Sequence, residues 1–450
     1  MTMAKTRLSL PFGDTYANAV GVLPGANESW IDGLRNTSRS ILRSQGLPTR
    51  KNEAWKYTAL GELAATPFIP ASRAEDVDVT QVPVTVPFVE GALKLVFVNG
   101  VFRADLSDPL EQLSDEAVVR PLSEALSFIP QDLKKILGSV SETGSSIVAA
   151  LNTGFIEDGL LLRVKAGTEL KEPIHVVSIG ASGVAPGSFH PRFEVELEAS
   201  SQATFIESHV GLPGQPYLAN AVTEVVVGEG AKLGHYTIIN DDTDAYHLGQ
   251  TAVFIDRAGK YESFILSMGG KLVRREVKIN LEEDHGEARV DGVYGIADKQ
   301  HSEIVSEMLH KAPHTLSSQV VKGALSGESR GVFQGRVHVA REAQKTDGRQ
   351  LHKALLLNKG PEVDCKPELE IFADDVQCAH GATTGELDKE QIFYLASRGI
   401  DEGTARALLI EGFLNEVVLN ISHKPSQRLI LDTVKSWLVR QNQASSGSSR

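Results

Sequence analysis

Cysteine is nearly absent, with only Cys365 and Cys378 in 450 residues. That excludes a disulfide framework and fits a reducing compartment. Large aromatic residues are also scarce, at 6% of the chain with three tryptophans, so the interior has few large plugs. Positive charge is in deficit: Lys and Arg number 45 against 58 Asp and Glu, a formal net charge of −13. A nucleic-acid binder needs a basic face to displace counterions, so that class is disfavoured. Long apolar runs are missing, and no stretch approaches the ~18 residues of a membrane span. The opening "MTMAKTRLSLPFGDTYANAV" holds no run of the kind a signal peptide uses. A cytoplasmic protein with neither nucleic-acid nor membrane partner is expected. There is no Walker A motif and no glycine fingerprint opening a helix after a strand, so the chain is not expected to be an ATPase itself.

What is present falls into three zones. Residues 1–90 read as helical followed by a linker. Trp30, Leu34 and Ile41 fall on one helical face, Gly46 and Pro48 supply a stop, and Trp55 and Tyr57 read as packing anchors. Residues 65–90, rich in Pro, Val and Ala, carry no helical period. Residues 91–157 hold two apolar runs around Asn99-Gly100, a hairpin signal, and then short helical pieces in "DLKKILGSV" and "SSIVAALNTGF". From Asp158 to Leu387 the pattern becomes short β-rich runs separated by polar or glycine-marked turns, as in "FEVELEASSQATFIESHV" and "AVTEVVVGEGAKLGHYTII". Turn glycines recur at Gly230, Gly259 and Gly286, at spacings of 29 (230 to 259) and 27 (259 to 286). A period in this range with no helical pattern between runs predicts stacked coils, a parallel β-helix. A β-sandwich or jelly roll is the alternative. Residues 388–450 turn helical again. Asp388 and Asp401 are placed as N-caps and Gly399 as a C-terminal stop. Ala405, Leu408, Leu409, Phe413 and Val417 form one apolar face, and Ile430, Val434, Trp437 and Leu438 another. The polar end "NQASSGSSR" reads as disordered.

Chemistry concentrates in "DDVQCAHGATTGELD", Asp374 to Asp388. In a strand, Cys378 and His380 would face the same side, and thiolate and imidazole are both iron ligands. Two ligands do not complete an iron–sulfur site, which ordinarily takes about four. Either a second chain completes the site, or Cys378 is a buried structural thiol beside a hydrogen-bonded histidine. His310 and His314 have helical ligand spacing, but Pro313 between them would break the helix, so zinc is not expected there. "EEDHGE", Glu282 to Glu287, reads as a solvated acidic turn.

At these residues the chain resembles the SufB/SufD family of the Suf iron–sulfur cluster assembly system. The segments "APHTLSSQVVKGAL", "AQKTDGRQ", "KPELEIFADDVQCAHGATTGELD" and "FYLASRGI" carry the likeness. "LPTRKNEAWKYTAL", and the lack of a cysteine cluster near the start, lean to the SufD branch over the SufB-like paralogue. The resemblance implies a mainly β protein, a right-handed parallel β-helix between N- and C-terminal helical regions. It implies a non-catalytic scaffold subunit in a cytoplasmic complex with a SufB-like subunit and two copies of a SufC-like ATPase, docked on residues 388–440. It places His380, with Cys378 beside it, at the shared interface where a cluster is built, with His380 as a transient iron ligand. No stable cofactor is expected in the isolated chain. A transient Fe–S cluster, and a reduced flavin, would belong to the complex, and the lone chain would form a homodimer. Where the family reads Asp-Thr-Lys-Pro, this chain has Asp364-Cys365-Lys366-Pro367, so Cys365 reads as a small substitute for threonine. A carbohydrate-active β-helix enzyme is the alternative from another class.

Overall fold

The computed structural model describes residues 7–10, 12, 23–25, 27–71, 77, 88–113, 115–141, 144, 146–181, 183 and 185–447. Most of the expected linker at 65–90 lies outside them. From Gly159–Val164 to Gln377–Gly385 the chain winds through about eight coils, each giving one strand to each of two parallel sheets. One sheet runs in the order Gly159–Val164, Arg192–Leu197, Val222–Val227, Tyr246–Ile255, Leu272–Leu281, His301–His310, Arg330–Val339, Glu362–Ile371. The other runs from Ile174–Gly180 through Asp347–Leu356 to Gln377–Gly385. The expected parallel β-helix is the fold.

Registers are in phase, so like stacks on like. Leu162, Val195, Val225, Val253, Ile279, Met308, Val337 and Leu369 form one inward column, each paired with the next. Alternation of side chains across the strand sends this column into the core and its neighbours outward. The turns between the sheets repeatedly adopt left-handed backbone, and in the three turns of the periodic set it falls on Gly230 at φ 64°, Ala258 at 52° and His285 at 62°. Only the first falls on a glycine of the periodic set. The repeat therefore marks the turn region, while the left-handed residue sits one place before Gly259 and Gly286.

The hairpin at Asn99-Gly100 forms as expected, both residues at positive φ (49° and 80°). It also joins the solenoid. Leu93–Val98 pairs in parallel with Ile174–Gly180, and Ala117–Pro121 closes the other sheet antiparallel to Gly159–Val164. The start of the solenoid is thus capped by strands from the second zone.

Outer faces of both sheets are covered. Over the first lies the N-terminal helix Ser29–Gln45 with Ile147–Phe155. Its buried face is Ile31, Arg35, Ser38, Arg39 and Leu42, one position off the expected Trp30, Leu34 and Ile41, which are only half-buried. Hydropathy missed this face because Arg35 faces inward, donating to the Pro24 and Ile156 carbonyls at 2.8 and 2.7 Å. Trp55 is the anchor expected, stacked 3.9 Å from the Arg274 guanidinium. Over the second sheet lie Glu402–Val418 and Lys424–Gly447, whose Ile410, Leu414, Ile430, Val434 and Trp437 meet Tyr236, Phe264 and Met268 of the sheet. Asp388 and Asp401 cap as expected, accepting from Glu390 N and Thr404 N. The expected face of the middle helix is half right. Ala405 and Val417 are buried, Leu409 and Phe413 pack at the margin, and Leu408 is 47% exposed, with Ile410 and Leu414 inward in its place. The last helix runs to Gly447, into the polar stretch whose composition reads as disordered. Residues 448–450 lie outside the described set.

Burial leaves five imidazoles neutral. His175 and His301 are pushed down to about 3, and His190, His310 and His352 to about 4, each chiefly by desolvation. The unfolded chain takes up these protons near ~6.5, so between there and ~4 it binds more protons than the folded chain. Buried acids with raised pKa, Glu194 to about 7, Asp291 to about 6 and Asp158, act in the opposite direction but are fewer. Stability is therefore expected to fall steeply as pH drops from ~6 to ~4, each neutral histidine contributing about 1.4 kcal/mol per pH unit. Urea unfolding measured at several pH values checks this; an unchanged midpoint from pH 6.5 to 4.5 would contradict it.

Candidate functional site

Cys378 and His380 lie in the last strand of the second sheet, Gln377–Gly385, and not in a turn. Their partners on Asp347–Leu356 are Gly348 and Gln350. The partner strand buries Gly348, Gln350, His352 and Ala354, so this parity points into the solenoid. Cys378 and His380 therefore occupy inward positions. Among the described residues no further strand follows on that side of the sheet, and the inward positions of the last coil open to solvent. His380 is exposed, while Cys378 is half-buried and packs on the end of the core. Cys378 sits over Gly348: a Cβ there would stand 3.5 Å from Cys378 Sγ, in ordinary contact.

Cys365 lies in the last strand of the other sheet, paired with Phe333, whose parity is also inward. It too is half-buried against the end of the core. The structure thus places both cysteines and His380 on the inward side of one terminal coil. Read as a threonine substitute, Cys365 was not expected in this company; only the register between the two sheets reveals it. Burial pushes the Cys365 thiol up to about 11 and raises that of Cys378 as well. Among the described residues no three His, Cys, Asp or Glu side chains come together as a metal site. The coil offers soft donors in an uncovered setting without completing a ligand set.

His310 and His314 do not converge. His310 is buried and bonded to Thr315 Oγ1 at 2.7 Å and Ser317 Oγ at 2.8 Å, whereas His314 sits in a turn at φ 60°, stacked 5.0 Å from His285. The acidic turn is solvated as expected, with Arg257 reaching Asp284 at 2.8 Å.

One polar cluster was not anticipated. Inside the solenoid, Glu207 accepts from His235 Nε2 at 2.6 Å, His209 Nε2 at 3.2 Å and Thr223 Oγ1 at 2.7 Å, with Arg275 Nη2 at 3.4 Å. Asp241 binds His247 Nδ1 at 2.9 Å and the Tyr217 hydroxyl at 2.7 Å. Guanidinium and imidazole partners outweigh desolvation and hold the Glu207 carboxyl well below the usual range. The signal was Glu207-Ser-His209, acid and base at alternate strand positions, which means something only once the parity is known to be inward.

Fold and site together define a parallel β-solenoid protein whose last coil presents two thiols and an imidazole at open strand edges. Comparison with known proteins narrows the class. The family model described as SUF system FeS cluster assembly, SufBD core domain, matches residues 179–413, and that of the SufBD protein N-terminal region matches residues 8–176. An iron–sulfur cluster assembly SufBD family protein of Synechocystis is 30% identical over 405 residues, 88% of this chain and 89% of that protein. The iron–sulfur cluster assembly protein SufD of Escherichia coli is 29% identical over 381 residues, 84% of this chain and 86% of its own. Protein ABCI7, chloroplastic, of Arabidopsis thaliana is 28% identical over 416 residues, 90% and 86% of the two chains. The chain belongs to the SufBD family of SUF-system iron–sulfur cluster assembly.

The raised thiol pKa values have a direct consequence for reactivity, because the thiolate is the nucleophile. In the native chain, iodoacetamide labelling of Cys365, followed by peptide mass spectrometry, should accelerate about tenfold per pH unit from pH 7 to 10. In urea the same curve should level near the ordinary ~8.5. A native plateau at pH 8–9 would contradict the burial argument.

Proposed function

We propose that this chain is a SufD-type, non-catalytic subunit of a cytoplasmic SUF scaffold, in which a nascent iron–sulfur cluster is built at a site shared with a SufB-like subunit. The observation that carries this reading is the inward column ending in Cys378 and in His380, which no described residue buries. Terminal strands Glu362–Ile371 and Gln377–Gly385 each have one unpaired edge. A related solenoid can add strands there, and its own terminal coil would supply the ligands missing here. A second copy of this chain could use the same edges, giving a homodimer when the partner is absent. The imidazole of His380 donates a nitrogen to iron transiently, and the cluster is cargo of the complex. A reduced flavin would likewise bind the assembled complex.

The ATPase is assigned to the C-terminal helices. Helix Lys389–Ser397 buries none of its residues, and Phe393 and Tyr394 are 75% and 57% exposed. Neighbouring helices share a core with the second sheet, so surface substitution tests docking better than deletion. Phe393→Asp should weaken capture of a co-expressed SufC-like ATPase at least tenfold, with the melting temperature unchanged. Undiminished capture would move the contact elsewhere.

For the cluster site the test is anaerobic co-expression with the partner subunits, followed by iron and sulfide analysis. His380→Ala should leave complex formation and melting unchanged, since the side chain is exposed, while iron and sulfide content drops severalfold. Cys378→Ser should have a milder effect. Wild-type cluster content in the His380→Ala complex would remove the site.

A further inference from the structure

Directly beneath the open coil sits a buried amide without partners. Gln350, the register partner of His380, is 3% exposed, and neither its Oε1 nor its Nε2 has a hydrogen-bond partner among the described residues. A buried polar group left unpaired destabilises the fold, so an apolar residue would serve it better here. The side chain spans the interior: the point where a Cβ would stand on Gly335, in the opposite sheet, is 3.1 Å from Gln350 Nε2. Gly335 pairs with Pro367, and Phe333 beside it pairs with Cys365. The amide therefore lies under the last coil, between the strand that carries His380 and Cys378 and the strand that carries Cys365. One coil deeper in the same column, Gln319 takes the Ser306 hydroxyl on its Oε1, and its Nε2 is also unpartnered.

Gln350 leaves two N–H groups and one carbonyl oxygen unpaired and Gln319 two N–H groups, so this uncharged floor holds more free donors than acceptors. An excess of donors suits an electron-rich acceptor. Sulfide is that acceptor in cluster assembly, and N–H···S hydrogen bonds are among the means by which a protein tunes an iron–sulfur centre. Imidazole and thiols around the mouth suit iron. The free amide donors thus lie deeper than the soft ligands of the mouth.

We propose that Gln350, backed by Gln319, is the sulfide-positioning floor of the cluster-assembly site. This rests on the site assignment made above for His380 and Cys378. The test uses Gln350→Leu, which keeps volume and removes both hydrogen-bonding atoms, beside His380→Ala. Each is assembled anaerobically with the SufB-like and ATPase partners and supplied with ferrous iron and sodium sulfide. Gln350→Leu is expected to lower acid-labile sulfide per complex at least threefold and to shift the reduction potential of the residual cluster to more negative values. In the isolated chain the same substitution should hold or raise the melting temperature, because an unpaired amide is removed. A lowered melting temperature would make Gln350 a structural residue and overturn the proposal. Wild-type sulfide content with an unshifted potential would also overturn it. If His380→Ala loses the cluster while Gln350→Leu keeps it, only the floor falls; if both keep it, the site itself falls.

Discussion

Coil-on-coil register is the constraint on which the rest depends. Parallel strands stack each inward residue on the same position of the coil before, about 4.8 Å away. Every interior side chain is then roofed and floored by two others, and a polar one has to find its partner there. Glu207 does so with His209, His235 and Arg275, the four residues being drawn from three strands of the interior. The same rule makes the end of the stack special. A residue in the final coil has a floor and, among the described residues, no roof, so His380 keeps an inward direction and is exposed to solvent.

What is uncovered follows from what the flanking regions cover. The N-terminal region is held on the first sheet by buried charge. Glu224 accepts from the Gly138, Val140 and Ser141 amides at 2.6–2.7 Å and pairs with buried Arg192, and Glu303 takes Arg274 and the Thr58 hydroxyl. Such pairs are costly to break, since either partner alone would be a buried charge. The C-terminal helices hold the second sheet by apolar packing around Trp437 and by Lys322, which reaches Glu416 at 2.6 Å. On the last coil the N-terminal region reaches only the outer side, where Lys366 pairs with Glu53 at 2.8 Å, and among the described residues His380 and helix Lys389–Ser397 stay exposed. The two surfaces proposed for partners are therefore ones the described fold leaves free.

Much of this was legible in the residues. Strand alternation, turn glycines, the Asn99-Gly100 hairpin, the Asp388 and Asp401 caps and the last helix's apolar face each depend on interactions a few residues apart. The motif around Cys378 and His380 was visible for the same reason. Local pattern failed where a polar side chain faces inward. Arg35 turned the N-terminal helix by one position, and Ile410 and Leu414 displaced Leu408 because the sheet, not the helix, selects the face.

The sequence by itself determined that the chain coils, roughly where it begins to do so, and that Cys378 and His380 share a strand face. Those are consequences of backbone period and local capping. Only the tertiary structure decided that this face points inward, that the coil bearing it is the last, and that Cys365 and the unpaired Gln350 amide stand on the same side of it. Each of these depends on register between strands about 30 residues apart in such repeats, and no local propensity encodes it.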